Sequence, residues 1–376
     1  MKKLLTLSFL LALLCSCNKE VKDMPIDKQA TQETVNLYNN LKKIEKRGFM
    51  VGHQDDLAYG VNWKYEPGRS DIHDITGDYP AVYGWELGHL EIGAPVNLDS
   101  VPFDKMREFI QQGYERGGVI TISWHGNNPV TGKTAWDPEE GTVEAILPDG
   151  EKNDVFNAQL DKVAAFLQSL KGKNGEPIPV LFRPFHEHTG GWFWWGNRTT
   201  SNDSYKKLFR YTVEYLKDKK QLHNLLYVYN TGSEFSSSEE YLERYPGDDV
   251  VDMLSFDIYQ RGDAAKDSSY TYSLDKHLGI IEKLAAEKNK TATVGETGYS
   301  RIPYAQWFTR RVYPGLKNHK FSYVLFWRNA GYKPQNDEVE YYVPYKGQLS
   351  EEDFLKFYNL PQTLFQSDLT YDEVYK

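Results

Sequence analysis

The chain has 376 residues and a net charge of −9, with 40% hydrophobic and 14% aromatic side chains. That is enough to bury one large core, and a single domain is the default at this length. The acidic balance excludes a phosphate-backbone partner such as nucleic acid, which needs clustered Lys and Arg. A neutral substrate fits better, and so many Tyr, Phe and Trp suit stacking on sugar rings while hydrogen-bonding their hydroxyls.

The first element is an export signal, with Lys2 and Lys3 as its positive region and Leu4 to Leu14 as its apolar region. It is too short for a permanent membrane span. The run Leu14-Cys15-Ser16-Cys17 resembles a bacterial lipobox. That resemblance implies a signal peptide over residues 1–16, acylation of Cys17 and a lipid-anchored lipoprotein. Asn18, rather than aspartate, after the cysteine is compatible with the outer membrane, and periplasmic or cell-surface exposure stays open. Residues 17–32 are charged and aperiodic, which predicts a flexible tether leading into a domain over 33–376.

Leu37 to Gly48 predicts a helix ending at a glycine, and Phe49 to Gly52 a strand running into His53, Gln54, Asp55 and Asp56. The pattern then repeats. Ala81 to Trp85 runs into Glu86, Val119 to Ser123 into Trp124 and His125, and Val180 to Phe182 into Arg183, His186, Glu187 and His188. Leu225 to Tyr229 runs into Asn230, Met253 to Phe256 into Asp257 and Tyr259, Ala292 to Val294 into Glu296, and Tyr323 to Phe326 into Trp327 and Arg328. Between them lie amphipathic helical patterns such as Leu160, Val163, Ala164 and Leu167. Roughly eight strands alternating with helices predict an α/β protein, a single (β/α)8 TIM barrel with its active site at the C-terminal ends of the strands. Long loops over 127–153 and 330–350 follow strand ends, as binding loops do, and a last helix is expected over Glu351 to Phe365.

The chemistry concentrates in VLFRPFHEHTGGWFWWG, residues 180–196, where a short strand gives way to imidazoles, a carboxylate and tryptophans. Breaking a glycosidic bond needs one carboxylic acid to protonate the leaving oxygen and a second carboxylate to attack or to activate water. Glu187 and Glu296 are the strand-end pair, and Glu86 is a possible third. An acid that holds its proton near neutral pH must be partly desolvated, as Glu187 is expected to be between imidazoles and tryptophans. The partner must stay ionised, with Arg328 or Tyr259 as candidate neighbours of Glu296. Trp194 and Trp195 cannot both face a cleft if the segment is extended.

The segments RPFHEH, GWFWWG, VGETG, YVYN, FDIY and FWRN resemble glycoside hydrolase family 26 of the clan A barrels, whose best-known activity is β-1,4-mannanase. The resemblance implies retaining catalysis, with Glu187 as acid/base and Glu296 as nucleophile. It further implies that His186 contacts the sugar in the reacting subsite, that Trp192 stacks on the leaving side and that Trp327 floors the reacting subsite. His125, Trp124, Tyr259 and Arg328 complete the candidate sugar-binding set. The substrate implied is β-mannan or manno-oligosaccharide, handled by a monomer with no cofactor and no metal. Internal attack and release of short units such as mannobiose both stay open, as do the family's other substrates, mixed-linkage β-glucan and β-1,3-xylan. Two readings from other classes are a noncatalytic glycan-binding lipoprotein and a metal hydrolase. The latter would gather His53, Asp55, Asp56, His125, His186, Glu187 and His188, although no helical His pair of the zinc-protease kind is present.

Overall fold

The computed structural model describes residues 22–334 and 337–376; Cys17 and the signal segment lie outside them. Eight parallel strands form the centre: β1 Phe49–Gln54, β2 Val82–Glu86, β3 Val119–Trp124, β4 Val180–Pro184, β5 Leu225–Thr231, β6 Met253–Tyr259, β7 Thr291–Gly298 and β8 Tyr323–Phe326. Each pairs with the next, and β8 returns to β1 through Met50 opposite Tyr323 and His53 opposite Phe326, so the sheet closes. A short strand, Thr363–Leu364, adds to the start of β1. The expected barrel is therefore what the chain forms.

The strands are buried along almost their whole length, as parallel strands covered on both faces must be, and this is why they read as continuous apolar runs. Helices supply the outer cover through single apolar stripes. In the helix Asn153–Ser169 the residues Leu160, Val163, Ala164 and Leu167 face inward, and in Ser269–Glu287 so do Leu274, Leu278, Ile281 and Ala285. Among the described residues no helix is long and apolar enough to cross a membrane.

The expected boundaries shift in instructive ways. Several strands extend one to four residues beyond their apolar runs, so that Glu86, Arg183, Asp257 and Glu296 belong to the strands themselves. Polar residues can sit there because the mouth of a barrel is lined by inward side chains that pair with one another. The first helix spans Gln32–Ile44, starting five positions earlier than expected because Thr31 caps it by accepting from the N–H of Thr34. The last helix stops at Tyr358 rather than Phe365, since Pro361 cannot extend it and Thr363–Leu364 pairs with β1. The long connections carry structure of their own: a short helix, Thr142–Ile146, and a hairpin of Gly331–Lys333 with Glu338–Glu340.

Part of the expected tether is bound to the barrel. Asp252 accepts from the N–H of Ile26 at 2.8 Å, and buried Asp27 pairs with His223 Nδ1 at 2.7 Å. Charge misled the sequence reading here, because these polar groups find partners on the barrel wall rather than water. His277 on the outer helix is buried as well, with Nε2 2.8 Å from the carbonyl of Phe235.

Candidate active site

Adjacent strands β6 and β7 place Asp257 opposite Glu296, after a register shift that skips Gly295. Such an irregularity re-aims the side chain that follows it. A side chain at position 295 would collide with Asn230 and Asp257, so glycine is what lets the strands close up beside Glu296. Arg183, from β4, then reaches Glu296 with Nη2 to Oε1 at 2.7 Å, while Tyr259 donates its hydroxyl to Oε2 at 2.8 Å. Both oxygens of Glu296 are thus held by hydrogen-bond donors.

Glu187 is built differently. Phe185 and Glu187 adopt left-handed backbone, φ 52° and 50°, around His186. Non-glycine residues persist in that region only when their surroundings fix them. Two contacts fix them: the N–H of Glu187 donates to the Asn230 carbonyl at 3.1 Å, and Trp195 Nε1 donates to the His186 carbonyl at 2.8 Å. Trp192 Nε1 donates to Oε2 of Glu187 at 2.9 Å. Burial first, and the charge of Glu296 second, push the Glu187 carboxyl up to about 7; His125 and the Trp192 bond oppose this, and Glu234 adds to it. The two carboxyl groups therefore feel one another across the same mouth, one favoured as acid and the other braced by a guanidinium.

A histidine pair lies beside them. His186 Nε2 is 3.0 Å from His125 Nε2 and 3.8 Å from Oε1 of Glu296. Glu86 accepts from His125 Nδ1 at 2.8 Å, from its N–H at 2.7 Å and from Ser123 Oγ at 2.6 Å. Burial opposes charge on this pair, yet the mutual attraction wins: the Glu86 carboxyl is held below its ordinary range and the His125 imidazole above its own. For His186, burial and then the His125 and Arg183 charges all act together and hold it well below the usual range, hence neutral. Neighbouring charge thus favours the imidazolium at His125 and burial the neutral ring at His186, and their Nε2 atoms face one another. Glu86 is thus a structural counter-charge for His125 rather than a third catalytic acid.

The remaining expectations divide. Trp192 is 40% exposed beside Glu187, and Trp327 and Arg328 are half-buried at the end of β8, with the Arg328 guanidinium 5.9 Å from the Trp327 ring centroid. Arg328 does not brace Glu296; it pairs with Asp99 at 3.0 Å and Glu340 at 3.6 Å, and Arg183 takes the role foreseen for it. Trp124 is not at the cleft. It packs against Phe156 and Phe185 with its N–H committed to Glu91 at 3.1 Å, because alternation along β3 turns Ser123 and His125 inward and Trp124 outward. Trp194 and Trp195 are both buried, with the Trp194 N–H on the Gly126 carbonyl at 2.9 Å. His53 and Asp56 form a sealed pair at 2.6 Å, and His188 is buried between Tyr205 and Tyr229. The sequence reading passed over Trp136, half-exposed and stacked on His125 with ring centroids 5.1 Å apart, because it lies in a long loop without a motif.

Ligand-type atoms of His186, Asp257 and Glu296 do converge. Arg183 already stands among them, 3.6 Å from Asp257 and 2.7 Å from Glu296, so the counter-charge a metal would supply is a protein cation. A hollow of about 570 Å³ is lined instead by helix and loop residues, among them Tyr114, Lys173 and Tyr371, and no tryptophan lines it.

A closed parallel barrel carrying two strand-end glutamates in contrasting electrostatic settings defines a class, the two-carboxylate glycoside hydrolases of barrel fold. Within it the chain belongs to glycosyl hydrolase family 26, whose model matches residues 26–335. A β-mannanase structure from Bacteroides ovatus superposes with a TM-score of 0.87 at 43% identity, covering 92% of this chain and 98% of that one. A mannan endo-1,4-beta-mannosidase of Bifidobacterium adolescentis is 33% identical over 362 residues, 91% of this chain and 35% of its own length. One from Thermothelomyces thermophilus is 33% identical over 260 residues, 66% of this chain and 48% of its own. The chain thus matches about a third to a half of the length of these curated relatives.

Proposed function

We propose that the protein is a retaining β-mannanase that cleaves β-1,4-mannosidic linkages in mannan, galactomannan or glucomannan by double displacement. Glu187 gives its proton to the glycosidic oxygen as Glu296 attacks the anomeric carbon, forming a glycosyl ester. Glu187, now a carboxylate, then takes a proton from water, and that water releases the sugar from Glu296. The observation that carries this reading is the contrast between the two carboxyls. Glu187 is pushed up to about 7 in a buried setting, while Glu296 is held by Arg183 and Tyr259. The mannan named for the relatives favours this substrate over β-glucan and β-1,3-xylan.

Incubation with linear mannan, galactomannan, β-glucan and β-1,3-xylan, followed through time by product size, tests substrate and cleavage mode together. Product from a mannan, lost in Glu187→Ala and Glu296→Ala with folding intact, is the expected result. Turnover of the other polymers alone would overturn the assignment, and a noncatalytic glycan binder would release no product from any. Activity is expected to survive exhaustive chelation.

The protein is further proposed to be a monomeric lipoprotein, anchored through Cys17 at the outer membrane. The lipobox-like leader supports this. Incorporation of labelled palmitate that is abolished by Cys17→Ala is the expected outcome.

A further inference from the structure

Beside Glu187 lies a cavity of about 440 Å³ lined by Glu187, Trp192, Ser233, Glu234, Tyr259 and Arg261. A separate one of about 500 Å³ is lined by Tyr59, Asp99, Arg328 and Lys333. A proton donor touches the departing oxygen, so the wing of the cleft that contains Glu187 receives the leaving chain. Trp192, exposed and tied to Glu187, offers that wing one stacking face.

The same cavity carries two exposed charges of opposite sign, Glu234 and Arg261, on the loops after β5 and β6. Thr189 Oγ1 donates to Oε2 of Glu234 at 2.7 Å and accepts from the N–H of Gly232 at 2.9 Å. The Glu234 carboxylate folds back over Gly232, where a Cβ would have to displace it. Thr189 follows Glu187 by two residues, so Glu234 is fixed relative to the acid. Arg261 has its guanidinium 5.9 Å from the Tyr259 ring centroid and makes no ion pair among the described residues. Two opposite charges facing one cavity without pairing to each other remain available to a third party. A carboxylate accepts from vicinal hydroxyls and a guanidinium donates to hydroxyl and ring oxygens, whereas an ionic sugar of either sign would meet one repulsive partner.

We infer that Glu234 and Arg261 form a second leaving-side subsite beyond Trp192, which holds a neutral hexopyranosyl unit of the departing chain. The inference rests on the reading of Glu187 as proton donor. It is tested with Glu234→Gln and Arg261→Met on two substrates: a linear manno-oligosaccharide cleaved with two units on the leaving side, and an aryl β-mannobioside whose leaving group is a single ring. The ratio of kcat/KM on the first to that on the second is expected to fall ~10-fold in each variant, the size of one lost hydrogen bond to a charged group. A ratio within twofold of the parent in both variants overturns the subsite, whether or not the two activities fall together, since a parallel fall reports support of the fold alone. Absence of turnover of both substrates by the unmodified protein would instead remove the reading of Glu187, and this inference with it.

Discussion

Arg183 Nη2 sits 2.7 Å from Oε1 of Glu296, with both side chains sealed from solvent. A buried charge of this kind is tolerated only because its partner is in place, so removing one member leaves the other uncompensated. Arg183→Met is expected to lose about 3–5 kcal/mol of stability and nearly all turnover. Urea unfolding checks the first, and the second is read at a temperature where the variant is folded. A loss below 1 kcal/mol would show that Arg183 does not brace Glu296.

The raised Glu187 carboxyl gives a pH dependence of definite sign. Only its protonated form can donate, so kcat/KM is expected to fall as pH rises through about 7. The same group links pH to stability. Its folded value exceeds the ordinary 4.5, so its contribution to stability is fully present below 4.5 and is lost as pH rises through about 7. Glu187→Gln should flatten the stability profile over that window. Because the charge of Glu296 is the second cause of the shift, Glu296→Gln should bring the Glu187 titration, followed by NMR, toward its ordinary range.

Trp192 offers a finer test, since its indole N–H favours the ionised form of Glu187. Trp192→Phe keeps a stacking ring and removes that bond. The alkaline limb of kcat/KM is expected to move to higher pH, whereas a ring with no link to the acid would leave the limb in place.

The sequence exposed the barrel because parallel strands covered on both faces must be apolar, and each such run ended in polar groups. It exposed Glu187 and Glu296 through motifs dense enough to resemble a family. It did not expose the partners. Arg183 belongs to the same motif as Glu187, yet alternation along β4 aims it across the barrel to Glu296, far away in the chain. Trp124 and His125 are neighbours in sequence with opposite orientations, a choice set by the pleat and invisible until the register is fixed. Asp27 shows the same limit at the N-terminus, where a charged stretch resembling tether is anchored by His223 on the barrel wall.

Glu86 and His125 should be thermodynamically linked. Glu86 is the largest influence raising the imidazole against its burial. The stability this confers is fully present below the unfolded histidine pKa and lost as pH rises through the folded one. The Glu86 carboxyl is itself depressed, so its charge stops contributing once it is protonated; Glu86→Gln is therefore expected to lower Tm most at mildly acid pH, between the carboxylate and histidine titrations, and least at alkaline pH. An equal loss at all pH values would mean that the hydrogen bonds of Glu86, rather than its charge, are what matter.

Trp124 packs on the catalytic segment through Phe185 and Trp192 belongs to it, and the structure assigns them opposite costs. Trp124 is 1% exposed, packed on Phe156 and Phe185, and its N–H has a buried acceptor in Glu91. Trp124→Ala should cost about 3–5 kcal/mol by opening a cavity, with kcat/KM per folded molecule kept within a few-fold. Trp192→Ala, at a position 40% exposed, should leave stability within about 1 kcal/mol while removing the leaving-side face and lowering kcat/KM on manno-oligosaccharides ~10-fold or more. Parallel unfolding curves and kinetics on the two variants decide the matter. If Trp124→Ala instead proved stable and catalytically impaired, its indole would have to reach the substrate, and Trp124 could not be the outward-facing residue of β3.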